Sequence, residues 1–93
     1  MVVSKKLLER LRAAFKRYGI EVLGDPDITI HFFPSELETH LRVHLGSLKF
    51  QNMGWSECHD SIWDYLRRDP EITNEDLFNV SSIITAPEAV EFI

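Results

Sequence analysis

Four histidines and one cysteine are the residues of this chain best suited to chemistry: His31, His40, His44, His59 and Cys58. Neutral imidazole is the commonest metal ligand among side chains, because its free pKa lies near neutrality and proton competition is mild. One His cannot fix a metal. Two from separate elements, converging in space, supply half of a tetrahedral site. His40 and His44 stand at even spacing in one run and share a face of a strand, where they read mainly as its polar side. Cys58 adjoins His59 near a helix start, where a thiolate is favoured and the pKa can fall. It reads as an extra ligand, as a redox-sensitive site, or as a small apolar helix residue packed beside Ile62. Neighbouring helix positions point about 100° apart, so Cys58 and His59 do not aim at each other. No set of nucleophile, base and orienting group is readable, and the expectation is a protein that is not an enzyme.

Other motifs are sparse. Glu36, Glu38, Asp25, Asp27 and Asp60 are scattered acids and form no spaced pair. The glycines do not assemble a phosphate-binding loop, nor the Gly-x-x-Gly clamp that holds a nucleic-acid backbone. Arg42, Lys49, Arg67 and Arg68 could make a small basic spot for nucleic acid, against a net charge of −5. Phe50, Met53 and Trp55 lie in the turn entering a helix. If exposed together they would form a docking patch, since aromatics and Met are enriched at the centres of interfaces.

These residues must be positioned by a few elements. Leu7, Leu8, Leu11, Ala14, Phe15 and Tyr18 recur at three- and four-residue steps, which predicts a helix over 4–18 with Ser4 as N-cap and Gly19 as its stop. Ile20–Leu23 reads as a short strand, and Gly24 to Asp27 as a turn. Residues 28–33 are strand-like in composition, or an ordered loop carrying aromatics, with Pro34 breaking the run. Residues 40–47 alternate apolar and polar, as a half-buried strand does. Gly54 and Ser56 open a second helix, with Ser56 as N-cap and Cys58, Ile62, Tyr65 and Leu66 inward. Pro70 ends it. Thr73 starts a short helical turn, and Val80–Ile84 is a β-branched strand. Thr85 and Glu88 have capping-box spacing, which predicts a last helical turn from Ala86 towards Phe92. The expected fold is α+β: a small three-stranded sheet with helices on one face, in the order α-β-β-α-α-β-α. That order matches a type II KH-like arrangement.

Length and composition set the outer limits. A chain of 93 residues makes one domain, here 1–93. No apolar run approaches the roughly 18 residues of a membrane span, and the start lacks an apolar signal block. A lone cysteine forms no internal disulfide, which suits a cytoplasmic setting. The pI near 5.2 argues against broad, charge-driven binding to nucleic acid.

The middle of the chain resembles the BolA family. Thr39-His40-Leu41-Arg42-Val43-His44-Leu45-Gly46-Ser47-Leu48-Lys49-Phe50 is similar to that family's Ser-His-Phe-Lys-Val strand and the Ser-x-x-Phe turn that follows. His59 comes nine residues past Phe50, where the family carries the His of its Arg-His pair. His31 and Pro34 stand as the family's loop His and Pro. Leu11 to Phe15, Ile20 to Val22 and the Thr85–Phe92 end also look alike. Cys58 takes the place of the usual Arg, Asp60 follows His59 where a basic residue is common, and residues 69–77 look like an insertion. The resemblance implies that His31, in a loop, and His59, at a helix start, face each other and ligate an iron of a 2Fe–2S iron–sulfur cluster. A monothiol glutaredoxin with its glutathione would supply the thiolates, a division of ligands that iron–sulfur chemistry accepts. His40 would orient the loop by hydrogen bonding. The implied function is non-enzymatic, in cluster assembly, transfer or iron sensing. The alternatives are a KH-like nucleic-acid-binding regulator, or an interaction module without the cluster, in which His31 and His59 lie apart.

Overall fold

The computed structural model describes residues 5–34 and 40–87. Helix α1 spans Lys5–Tyr18 and buries Leu7, Leu11, Ala14, Phe15 and Tyr18, the apolar stripe that its periodicity requires. Ser4, expected as its cap, lies outside the described residues.

The chain does not leave the helix at Gly19, and no strand forms over Ile20–Leu23. Gly19–Leu23 instead widens into a π-helical turn, closed by Gly24 in the left-handed conformation at φ 66°. Gly24 and Asp25 both donate backbone N–H groups to the Gly19 carbonyl. Ile20 and Val22, read as strand residues, stay exposed on this turn. Gly19 serves close packing instead of termination. A Cβ there would stand 2.5 Å from Ile28 Cγ2 and 2.9 Å from the Asp25 carbonyl oxygen.

Three strands follow: β1 (Thr29–Pro34), β2 (Leu41–Gly46) and β3 (Val80–Ala86), in the spatial order β1-β2-β3. Of residues 28–33, all but Ile28 therefore resolve as strand, and Pro34, expected to break the run, is the last residue of β1. β1 and β2 pair antiparallel, while β2 and β3 pair parallel, with a bulge between Leu41 and Arg42. A parallel neighbour needs a crossover. Helices α2 (Trp55–Arg68) and α3 (Asn74–Phe78) supply it.

One face of the sheet carries Ile30, Phe32, Leu41, Val43, Leu45, Val80 and Ile83. These pack with the α1 stripe and with Cys58, Ile62 and Leu66 of α2 in one core. Among the described residues no helix packs on the other face. Strand alternation puts Thr29, His31, Phe33, Arg42, His44 and Ile84 there. The result is the expected small α+β domain with its helices on one side of a mixed sheet.

Two ends differ from expectation. α2 starts at Trp55, with Gly54 and not Ser56 as N-cap, because the Gly54 carbonyl already accepts from the Cys58 N–H at 3.0 Å. Thr85 caps no helix. It pairs with Leu45 inside β3, and Ala86 pairs with Gly46 while accepting the Ser47 N–H. Residues 88–92 of the expected last helical turn lie outside the described residues. Among those described, no helix is long and apolar enough to cross a membrane.

Candidate functional site

The turn entering α2 is built on Ser47. Its hydroxyl accepts the Lys49 N–H and donates to Asp25, which ties the end of β2 to the turn after α1. A 3₁₀ turn over Leu48–Asn52 then carries the chain to α2. Of the expected docking residues, Phe50 is in the core and offers no docking surface, because this turn folds it inward. Met53 is partly buried against the same core. Trp55 is 72% exposed, and Leu48 in the preceding turn is 64% exposed.

Trp55 and His59 are one helical turn apart, where side chains meet. Their rings lie 4.3 Å apart between centroids, at an interplanar angle of 33°. His59 Nε2 is buried with no hydrogen-bond partner, the only such side-chain atom among the described residues. Buried polar nitrogens are normally paired, since leaving one unpaired costs about 1–3 kcal/mol.

His31 is not in a loop and does not meet His59. It sits in β1, directly opposite His44 of β2, on the face turned away from the core. Phe33 lies on the same face, 4.7 Å from the His44 ring and 6.5 Å from the His31 ring between centroids. His59 belongs to the helix layer on the other side of the sheet. The physical reason is register. Ile30 and Phe32 must face the core, so His31 between them must face away. The residues present therefore do not fit an iron held jointly by His31 and His59. No group of three or more His, Cys, Asp or Glu able to hold a metal occurs among the described residues. His44 is held below the usual histidine pKa by burial, then by Arg42 and His31. His40 precedes β2 and packs 5.7 Å from the Phe78 ring of α3. The loop it was expected to orient includes 35–39, outside the described residues.

Cys58 is buried, and burial pushes its thiol pKa up, with hydrogen bonding to Thr85 opposing. The lowered thiolate pKa expected from its place near a helix start is not realised, because the side chain points into the core and not towards the helix end. The basic residues do not converge either. Arg42 is on the face of β2 turned away from the core, Lys49 in the 3₁₀ turn, and Arg67 and Arg68 at the end of α2. Arg68 pairs with Asp64 at 3.1 Å.

The most strongly bonded polar groups escaped the sequence reading. Arg10 binds Asp76, and Arg17 binds Asp69, which also accepts the Glu71 N–H. Tyr65 donates its hydroxyl to Glu21 at 2.5 Å. Arg17, Glu21, Tyr65, Arg68 and Asp69 line a cleft of about 530 Å³. A signal existed for the two ion pairs. Arg10 and Arg17 are seven residues apart on α1, hence on one face, and Asp69 and Asp76 repeat that spacing in the segment after α2. Comparison with protein-family models, with curated proteins and with solved structures finds no match to this chain.

Proposed function

We propose that this chain is a non-enzymatic interaction module on a BolA-like scaffold, which docks a protein partner through the start of α2. The observation that carries the reading is Trp55. It is an exposed indole in the first turn of α2, its ring tilted against that of His59, and Leu48 in the turn before the helix is exposed as well. Large exposed aromatics on ordered elements are the usual anchors of protein interfaces. The partner implied by the resemblance is a monothiol glutaredoxin. A cluster shared through His31 and His59 is not part of the proposal, since the sheet separates the two rings. Nucleic-acid binding draws no support from the basic residues, which are spread over different faces.

The test is titration of the chain with a monothiol glutaredoxin and glutathione, followed by tryptophan fluorescence. Trp55→Ala is expected to weaken the complex by tenfold or more, on the order of an interface hot spot, while Trp63→Phe keeps it. Absence of a complex, or one indifferent to Trp55→Ala, would overturn the reading. Anaerobic reconstitution with iron and sulfide provides the second arm. A visible circular dichroism spectrum altered by both His31→Ala and His59→Ala would restore the shared cluster.

A further inference from the structure

The sheet ends in two outer strands, β1 and β3, and the two are finished differently. β1 carries devices that keep a sheet edge from pairing. Pro34 has no N–H to give, and the cationic Arg12 donates to the Ile30 carbonyl at 3.4 Å. β3 carries neither device. Residues 80–87 include no charged side chain, and the one proline among them follows the last residue of the strand. Among the described residues nothing pairs with the outer side of β3. The Ala86 carbonyl accepts the Ser47 N–H, so Ala86 turns its backbone groups towards β2. Backbone direction alternates along a strand, so Ser82 and Ile84 turn to β2 as well, while Ile83 and Thr85 present N–H and C=O outward. The side chains of Ile83 and Thr85 are already committed, one to the core and the other to Cys58. Ile84 points the other way and is 45% exposed.

We propose that two copies of this chain pair through β3, antiparallel about a twofold axis at Ile84, so that their sheets join edge to edge. Such an interface is isologous, the same strand serving on both sides. With Ile84 opposite Ile84 of the second copy, Ile83 falls opposite Thr85 of that copy, and Thr85 opposite its Ile83. Both are hydrogen-bonded pairs that exchange two N–H···O=C bonds each, which uses every outward group of Ile83 and Thr85. The two Ile84 residues form the closer, non-hydrogen-bonded pair, with Cα atoms about 4.5 Å apart, and cover each other. A register shifted by two residues keeps the hydrogen-bond pattern. It sets Ile84 against Ser82 or Ala86, and the exposed apolar side chain loses its match. A second copy suits this edge because none of the net charge of −5 lies on the strand, so pairing opposes no like charges. The protected β1 edges at either end stop further growth, and assembly closes at two. A contact of one strand pair belongs among small, transient interfaces, so the dimer is weak and set by concentration.

The inference does not depend on the docking role of Trp55, and a different experiment tests it. Sedimentation equilibrium follows the chain from micromolar to millimolar concentration. The apparent mass is expected to rise from 10.8 kDa towards twice that value. Ile84→Lys sets two like charges against each other at the axis and should weaken the dimer at least about tenfold. It should leave the urea midpoint nearly unchanged, since the side chain is exposed in the single chain. Trp55→Ala should leave the dimer as it is. In the unaltered protein, NMR-detected amide exchange at Ile83 and Thr85 should slow as concentration rises, while the Ile84 amide, already bonded to β2, responds less. A chain that stays monomeric at millimolar concentration would overturn the proposal. So would a dimer indifferent to Ile84→Lys or lost with Trp55→Ala, or exchange at Ile83 and Thr85 that ignores concentration. The exchange arm needs no substitution, so a variant that misfolds does not obscure the outcome.

Discussion

The Arg10 guanidinium grips both carboxylate oxygens of Asp76, from 66 residues away, with Nη2 to Oδ1 at 2.7 Å and Nε to Oδ2 at 3.2 Å. The same carboxylate accepts the Thr73 N–H, while the Asp76 N–H donates to the Thr73 hydroxyl. One buried acid thus closes the capping box of α3 and ties it to α1. Arg17 and Asp69 repeat the tie at the start of the same segment. The residues between α2 and β3, which looked like an insertion, are clamped to the first helix at two points.

These clamps should fail in acid. The Arg10 hydrogen bond holds the Asp76 carboxyl below the usual range, outweighing burial, with help from Thr73. Burial pushes Asp69 up, but its bonds to Arg17 and the Glu71 N–H more than reverse this. A carboxyl whose pKa is depressed by folding stabilises fully above its unfolded value, and loses that contribution as pH falls through the folded value. Stability should therefore decline below about pH 4, the ordinary aspartate value. Asp76→Asn should lower the urea midpoint at neutral pH and flatten its fall in acid. Parallel pH profiles for the two proteins would show that the clamp contributes nothing.

Gly19 and Gly24 should both resist alanine, for different reasons. At Gly19 the added methyl meets Ile28 at 2.5 Å and a backbone oxygen at 2.9 Å. Overpacking of this kind costs about 1–3 kcal/mol. At Gly24 nothing lies within 4 Å, and the penalty is the positive φ alone, on the order of 1 kcal/mol. Ile28→Ala, which removes the clashing Cγ2, should relieve part of the Gly19→Ala loss and none of the Gly24→Ala loss. Chemical denaturation of the two double variants measures this directly.

Periodicity made α1, α2 and β2 legible, because each has one apolar face and one polar face. It misread Ile20–Leu23, where a strand-like composition sits in a turn whose shape is set by the packing of Gly19 on Ile28. Strand composition did favour β1, but whether His31 lay in strand or loop could not be settled locally. Its direction depends on which neighbours the core claims, and Ile30 and Phe32 claim it. His59 and Trp55 could be placed at a helix start from the sequence. Their ring contact depends on whether the helix begins at Trp55 or later, and a backbone carbonyl decides that. The Arg–Asp clamps are contacts between distant segments, and only the fold brings α1 beside the end of α2 and α3.

Cys58 should be a slow thiol. It is 2% exposed, and burial raises its pKa. The reactive species is the thiolate, so both access and ionisation are suppressed. Labelling by a disulfide reagent should run far slower in the native protein than in urea. Its rate should follow the opening of the fold as denaturant is added. Labelling as fast as an unfolded cysteine at neutral pH would indicate an accessible, functional thiol.

Tyr65 provides the opposite pH limit. Burial first, then the hydrogen bond to Glu21 and its negative charge, push the phenol up to about 12. Ionising it would leave two oxyanions facing each other across a bond of 2.5 Å. The neutral phenol is therefore the form that folding favours. Its contribution is complete below the unfolded value of about 10 and is lost as pH rises towards the folded one. The chain has two tyrosines, and burial also raises Tyr18. Ultraviolet absorbance should show neither ionising near pH 10 while the fold is intact. Glu21→Gln removes the facing charge but keeps an acceptor, so Tyr65 should ionise at lower pH with only a small change in stability. A titration unchanged by Glu21→Gln would mean that Glu21 does not hold the phenol, and that Gly19–Leu23 does not bring that carboxylate to α2.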